Sequence, residues 1–142
     1  MTTHTSSLAP LDIRIRLAAL WTATMALVAF VDIFGLYRPD FREQLEAGRV
    51  FIFDVGQPFL LGIMIYVMIP TLMIALSVLL PHRSNRITNL VVAPIFAFTV
   101  IGAAIGEWGY YVLASGVELV LLVIIVTLCA RWAAPRTNGE SR

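Results

Sequence analysis

Four apolar stretches, Leu17–Tyr37, Phe59–Leu80, Ile87–Gly106 and Tyr110–Ala130, divide this chain. Each is about 20 residues long, enough at 1.5 Å per residue to cross a hydrocarbon layer of roughly 30 Å. A backbone in lipid must satisfy its own hydrogen bonds, and at this length only a helix does so. The reading is therefore an all-α integral membrane four-helix bundle. Composition supports it: 59% of residues are hydrophobic and 13% charged, with a mean hydropathy of +0.86. A soluble domain carries about twice that charge. The spans leave an N-terminal tail of residues 1–10, a single domain over 11–134 and a C-terminal tail of 135–142. No soluble catalytic domain fits, so any activity belongs to the bundle or its rims.

Arg14 and Arg16 precede the first span as the charged region of a signal peptide precedes its apolar core. The span is longer than such a core, and VDIFGLYRPD after it offers no clear small-residue cleavage site, so a retained helix is expected. All ten basic residues are Arg. Arg14, Arg16, Arg83, Arg86, Arg131, Arg136 and Arg142 fall on one side of the spans and Arg38, Arg42 and Arg49 on the other. By the positive-inside rule this predicts a cell-membrane protein with both termini cytoplasmic. Topological anchoring accounts for His82, Arg83 and Arg86. Cys129 has no second cysteine to pair with, which argues against thiol exchange, and its expected role is packing.

Within the first span Ala18, Thr22, Ala26 and Ala29 recur at helical spacing, a small-residue stripe along which another helix can approach. Trp21 and Tyr37, and at the other outer turn Trp108, Tyr110 and Tyr111, suit the aromatic belts of a membrane boundary. The first outer segment has Phe41 and Leu45 on one face of PDFREQLEAG, charges on the other, and Gly48 as a stop, which predicts a short interfacial helix. The apolar RVFIFDVGQP after it is expected to tuck back onto the bundle as a lid. Pro70 removes a helix hydrogen bond near the centre of the second span and is the hinge candidate.

Counting inward from the outer ends places Asp32, Tyr66, Thr99 and Glu118 at similar depths, roughly 9 to 14 Å below the boundary. Convergence of their faces would make a polar layer in an otherwise apolar bundle. If the last helix runs unbroken from Glu107, then Glu107, Tyr111, Ser115 and Glu118 share a face of roughly 80° of arc, continued by Leu122 and Ile125. That stripe describes an access path open on the outer side and closed beyond the carboxyl. An acid at such depth is costly to keep charged and is retained where something uses it or pairs with it. His4 and His82 lie far from the acids, so no metal site is expected, and no nucleophile, phosphate-loop or cofactor motif is present.

The elements LAALWTATM, VDIFGLYRP, IPTLMIALSVLLP, NRITN and the Glu118 region before ARW resemble a family of small bacterial four-helix membrane proteins designated only as a domain of unknown function. The resemblance covers about Leu11 to Pro135. It implies the four-helix layout and no established activity. In layout the chain is also similar to DoxX-like membrane proteins, a likeness that carries no function.

Two readings follow. The first is a proton- or cation-linked transporter using Glu118 with Asp32. The alternative is a non-catalytic accessory protein that holds a lipid, a quinone or a partner helix. An enzyme is least expected, and no cofactor is called for. The expected partners are the lipid bilayer and a proton or small ligand, with no nucleic acid. A second copy of the chain is also expected, because four helices enclose little space.

Overall fold

The computed structural model describes residues 11–132. The predicted tails, with Pro10, His4, Arg136 and Arg142, lie outside that range. Five helices and one hairpin follow in order: α1 (Ile13–Gly35), α2 (Pro39–Glu46), β1 (Arg49–Val50), β2 (Phe53–Asp54), α3 (Gln57–Leu79), α4 (His82–Ala104) and α5 (Gly109–Arg131). The four long helices have 23 residues each and mean hydropathies of 1.9, 2.4, 2.0 and 2.7. Each is about 34 Å long. Their length and apolarity mark a multi-pass membrane protein. Successive long helices run antiparallel. The start of α1, the α3–α4 turn and the end of α5 therefore share one end of the bundle, here the terminus end. α2, the hairpin and the α4–α5 turn share the other, the loop end.

Local chemistry sets the boundaries. The Asp12 carboxylate accepts from the Arg14 backbone N–H at 3.0 Å and caps α1. Proline stands in the first turn of both α2 and α3, where no backbone donor is needed. Gly48 takes a φ of +72° and stops α2 as expected. α4 begins at His82, directly after Leu80 and Pro81, so Arg83, Asn85 and Arg86 lie in its first turns and not in a loop. There Arg86 donates from Nε to the Cys129 carbonyl at 2.9 Å and from a terminal nitrogen to the Ala130 carbonyl at 3.2 Å. It thus caps carbonyls at the end of α5, sharing that of Cys129 with the Trp132 N–H, a more specific role than anchoring in headgroups.

The most extensive contacts are α4 with α5 and α1 with α3, then α1 with α5, while α3 and α4 touch sparsely. The core comprises Leu17, Trp21, Met73, Ala93, Phe96, Val100, Leu122, Ile125 and Cys129, concentrated toward the terminus end. In α3 the buried residues are Pro70, Met73 and Ser77, with none between Gln57 and Ile69. In α1 only Val31 is buried beyond Thr24. α1 and α3 are therefore packed chiefly in their terminus halves, while α4 and α5 bury residues along both.

Two expectations are corrected, for Trp21 and for RVFIFDVGQP, and the α1 stripe is located. Trp21 is no belt residue: it is fully buried, and its indole Nε1 donates to Asn89 Oδ1 at 2.7 Å. Its polar edge is satisfied inside the protein, so the boundary offers it nothing further. The small-residue stripe of α1 faces outward, with Thr22, Ala26 and Ala29 exposed and Ala18 half-buried, because Leu17, Trp21 and Thr24 form the inward face. RVFIFDVGQP does not tuck under the bundle as a lid. It forms the β1–β2 hairpin, pairing Arg49 with Asp54 and Val50 with Phe53, and leaves Phe51, Ile52 and Phe53 exposed.

Candidate functional site

Glu118 lies nine residues into α5, roughly 14 Å from its loop end, on the helix face that also buries Ser115, Leu122, Ile125 and Cys129. The residue is 4% exposed. Its carboxylate makes no hydrogen bond or ion pair among the described residues. Ser115, one turn toward the loop end, is also 4% exposed and equally without a partner. The polar atoms sealed inside the protein without a partner are Ser77 Oγ, His82 Nε2 and Tyr110 Oη. The Glu118 and Ser115 oxygens are not among them, so each keeps a small accessible area although its residue is buried.

Tyr66 of α3 and Thr99 of α4 share a hydrogen bond of 2.9 Å between their hydroxyls. Thr99 also donates to the Phe96 carbonyl at 2.7 Å, which makes the Tyr66 hydroxyl the donor in the shared bond. The Tyr66 ring stacks on Phe96 with centroids 5.1 Å apart. This polar and aromatic bridge joins α3 to α4. Asp32, three residues from the end of α1, is exposed and lies within electrostatic range of Glu118, Tyr66 and Tyr111. Asp32, Tyr66, Thr99 and Glu118 thus stand on four different helices, and among the described residues only Tyr66 and Thr99 of the four are joined by a hydrogen bond. Tyr111 is half-buried. Beyond Glu118 the α5 face continues as Leu122 and Ile125, both in the core with Phe96 and Met73. No third His, Cys, Asp or Glu joins the two acids among the described residues. Pro70 is fully buried where α3 enters the packed half, and α3 continues through it as one helix.

Glu107 does not extend the α5 stripe. The helix starts at Gly109 after an extended N-cap residue, Trp108 (ψ 156°), so Glu107 lies outside its register. Glu107 instead accepts from the Arg38 guanidinium. Arg38 also pairs with Asp40 at 2.6 Å and lies 4.8 Å over the Trp108 ring. Asp40 holds the guanidinium's pKa above its ordinary value, and Arg38 in turn holds the Asp40 carboxyl below the usual range, in each case chiefly through their hydrogen bonds. With its charge met by Asp40 and Glu107, Arg38 is no counter-ion for Asp32. Trp108 is exposed at this end, whereas Tyr110 and Tyr111 are half-buried.

One polar feature escaped the sequence reading. In the packed half, Asn89 Nδ2 donates to the carbonyl and to Oδ1 of Asn85 at 3.0 and 2.7 Å, while Asn85 Nδ2 donates to the Ser77 carbonyl at 2.5 Å. With Trp21 this chain of bonds ties α1, α3 and α4 together. The signal was the pair of asparagines four apart in NRITN, which sets both on one helix face.

The family model of DUF6326, a family of unknown function, matches residues 12–138. The chain belongs to this family. In this member the match spans all four long helices, Glu118 and the Trp21–Asn89 network. No curated protein and no solved structure matches the chain.

Proposed function

We propose that this protein takes up a proton or small cation at Glu118 from the loop end, as part of a transport cycle in which Asp32 guards the entrance. One observation carries the reading: a buried carboxyl at spanning depth has no hydrogen-bond or ion-pair partner among the described residues. Ionising such a group costs free energy unless a proton or cation accompanies it. Hydroxyls of Tyr66, Thr99, Ser115 and Tyr111 supply the other polar groups, and Asp32 sets a second negative charge near the rim. Placing Glu118 nearer the outer face rests on the arginine distribution.

Carbodiimide labelling in native membranes, read by mass spectrometry, tests the site. The expected result is modification of Glu118 that disappears in Glu118→Gln. Folded protein that resists the reagent at every pH would sink the proposal. A second reading, a binding site that conducts nothing, draws support from the aliphatic closure by Leu122 and Ile125 below the carboxyl. Proton flux into proteoliposomes separates the two: flux abolished by Glu118→Gln supports transport, and labelling without flux supports binding alone.

A further inference from the structure

The β1–β2 hairpin carries the least expected side chains on the molecule. Its two-residue loop is Phe51 and Ile52, exposed at 67% and 78%, and Phe53 beside them is 55% exposed. Phe51 has a φ of +52°, a left-handed conformation that a bulky aromatic residue rarely adopts. Turns of this kind normally place glycine there. The strained backbone is held from behind, since the Phe51 N–H donates to Gln44 Oε1 of α2 at 2.9 Å and the Val55 N–H donates to the Gly48 carbonyl at 2.8 Å. Val50 anchors the base at 5% exposed. Charged pairs flank the apolar tip: Arg49 with Asp54 at 3.7 Å, and Arg42 with Glu46 at 4.0 Å.

We infer that the Phe51–Ile52–Phe53 tip is a lipid-binding wedge that inserts into the headgroup boundary of the leaflet at the loop end. Its height is set by Phe53, whose ring stacks on Phe59 with centroids 6.0 Å apart. Phe59 is in the first turn of α3, a spanning helix, so the base of the hairpin sits at the membrane boundary. Two further residues of extended chain keep the tip within roughly 7 Å of that level. The surface is continuous with the lipid face of α3, where Leu60, Leu61 and Met64 are each more than half exposed. An apolar tip flanked by paired charges matches the layering of the boundary, with hydrocarbon below and headgroups beside it.

A nitroxide at Ile52→Cys, and separately at Phe51→Cys, tests the inference in vesicles of phosphatidylethanolamine and phosphatidylglycerol. Ile52 makes no packing contact to lose, and the native Cys129 is fully buried, so unlabelled wild type serves as the background. Glu43→Cys on the exposed face of α2 is the aqueous reference. Relative to position 43, the tip labels should relax more with oxygen, which concentrates in lipid, and less with a water-soluble nickel chelate. Equal nickel accessibility at positions 43 and 52 would overturn the assignment. So would spin–spin broadening at position 52 that grows with the protein-to-lipid ratio, because a second copy of the chain would then occupy the tip. Phe51→Gly, which relieves the backbone and removes the ring, should shift the label at 52 toward nickel accessibility. No such shift would mean that Phe51 does not hold the tip in lipid.

Discussion

Arg38 and Glu107, 69 residues apart in sequence, form an ion pair across the loop end and join the α1–α2 connection to the α4–α5 turn. Their side chains are only 13% and 11% exposed, so the pair is shielded where ordinary surface pairs are not.

Arg38→Ala should free both connections at once. Amide hydrogen exchange in α2 and in residues 105–108 is expected to speed up roughly tenfold, the scale of one partly shielded ion pair, with the terminus half unaffected. Unchanged exchange would mean that the connections are held by backbone packing alone.

The same clamp has a defined acid limit. Arg38 lowers the Asp40 pKa below its ordinary 3.8, so the contribution of Asp40 is complete above that value and is lost as pH falls through the lowered one. Exchange protection of α2 should therefore hold flat from pH 8 to 5 and fail only in strong acid. A loss between pH 6 and 5 would contradict the sign.

Replacing Asn89 with Leu strands the Trp21 Nε1 donor and the Asn85 Oδ1 acceptor. A loss of about 1–3 kcal/mol is expected from detergent-titrated unfolding. The Trp21→Phe and Asn89→Leu double-mutant cycle should give a coupling of about 0.6–1.7 kcal/mol, the range for hydrogen bonds between membrane helices. Additive effects would remove Trp21 from the network.

Tyr66→Phe keeps the stack on Phe96 and removes only the hydroxyl. Thr99 retains its bond to the Phe96 carbonyl, so the destabilisation should stay below about 1 kcal/mol. A larger loss in the same unfolding titration would show that the hydroxyl bridge, not the ring stack, holds α3 to α4.

Glu118→Gln breaks no bond seen in the protein, so the unfolding midpoint should hold or rise. A drop of more than about 2 kcal/mol would reveal a partner for the carboxylate and remove the basis of the proposed site.

Much of this architecture was legible in the chain because membrane solvent leaves few choices. Helix number follows from apolar length, and the inward face of α5 follows from the spacing of Ser115, Glu118, Leu122 and Ile125. Helix rotation for the other spans was not legible, since a helix apolar all round carries no amphipathic signal for its inward face. Hence Trp21 was assigned to a boundary when it packs in the core. Glu107 falls outside α5 because the extended Trp108 caps that helix, and its partner Arg38 comes from a distant connection. The asparagine network needed the meeting of α1, α3 and α4, which no single segment encodes.

Burial along α3 is uneven. Pro70, Met73 and Ser77 are its buried residues, and none lies in the 13 residues from Gln57 to Ile69, a stretch of about 20 Å. Within that stretch Tyr66, bonded to Thr99 and stacked on Phe96, makes the one polar tie to α4 among the described residues. Half the length of a spanning helix thus rests its polar contact with its neighbour on a single side chain.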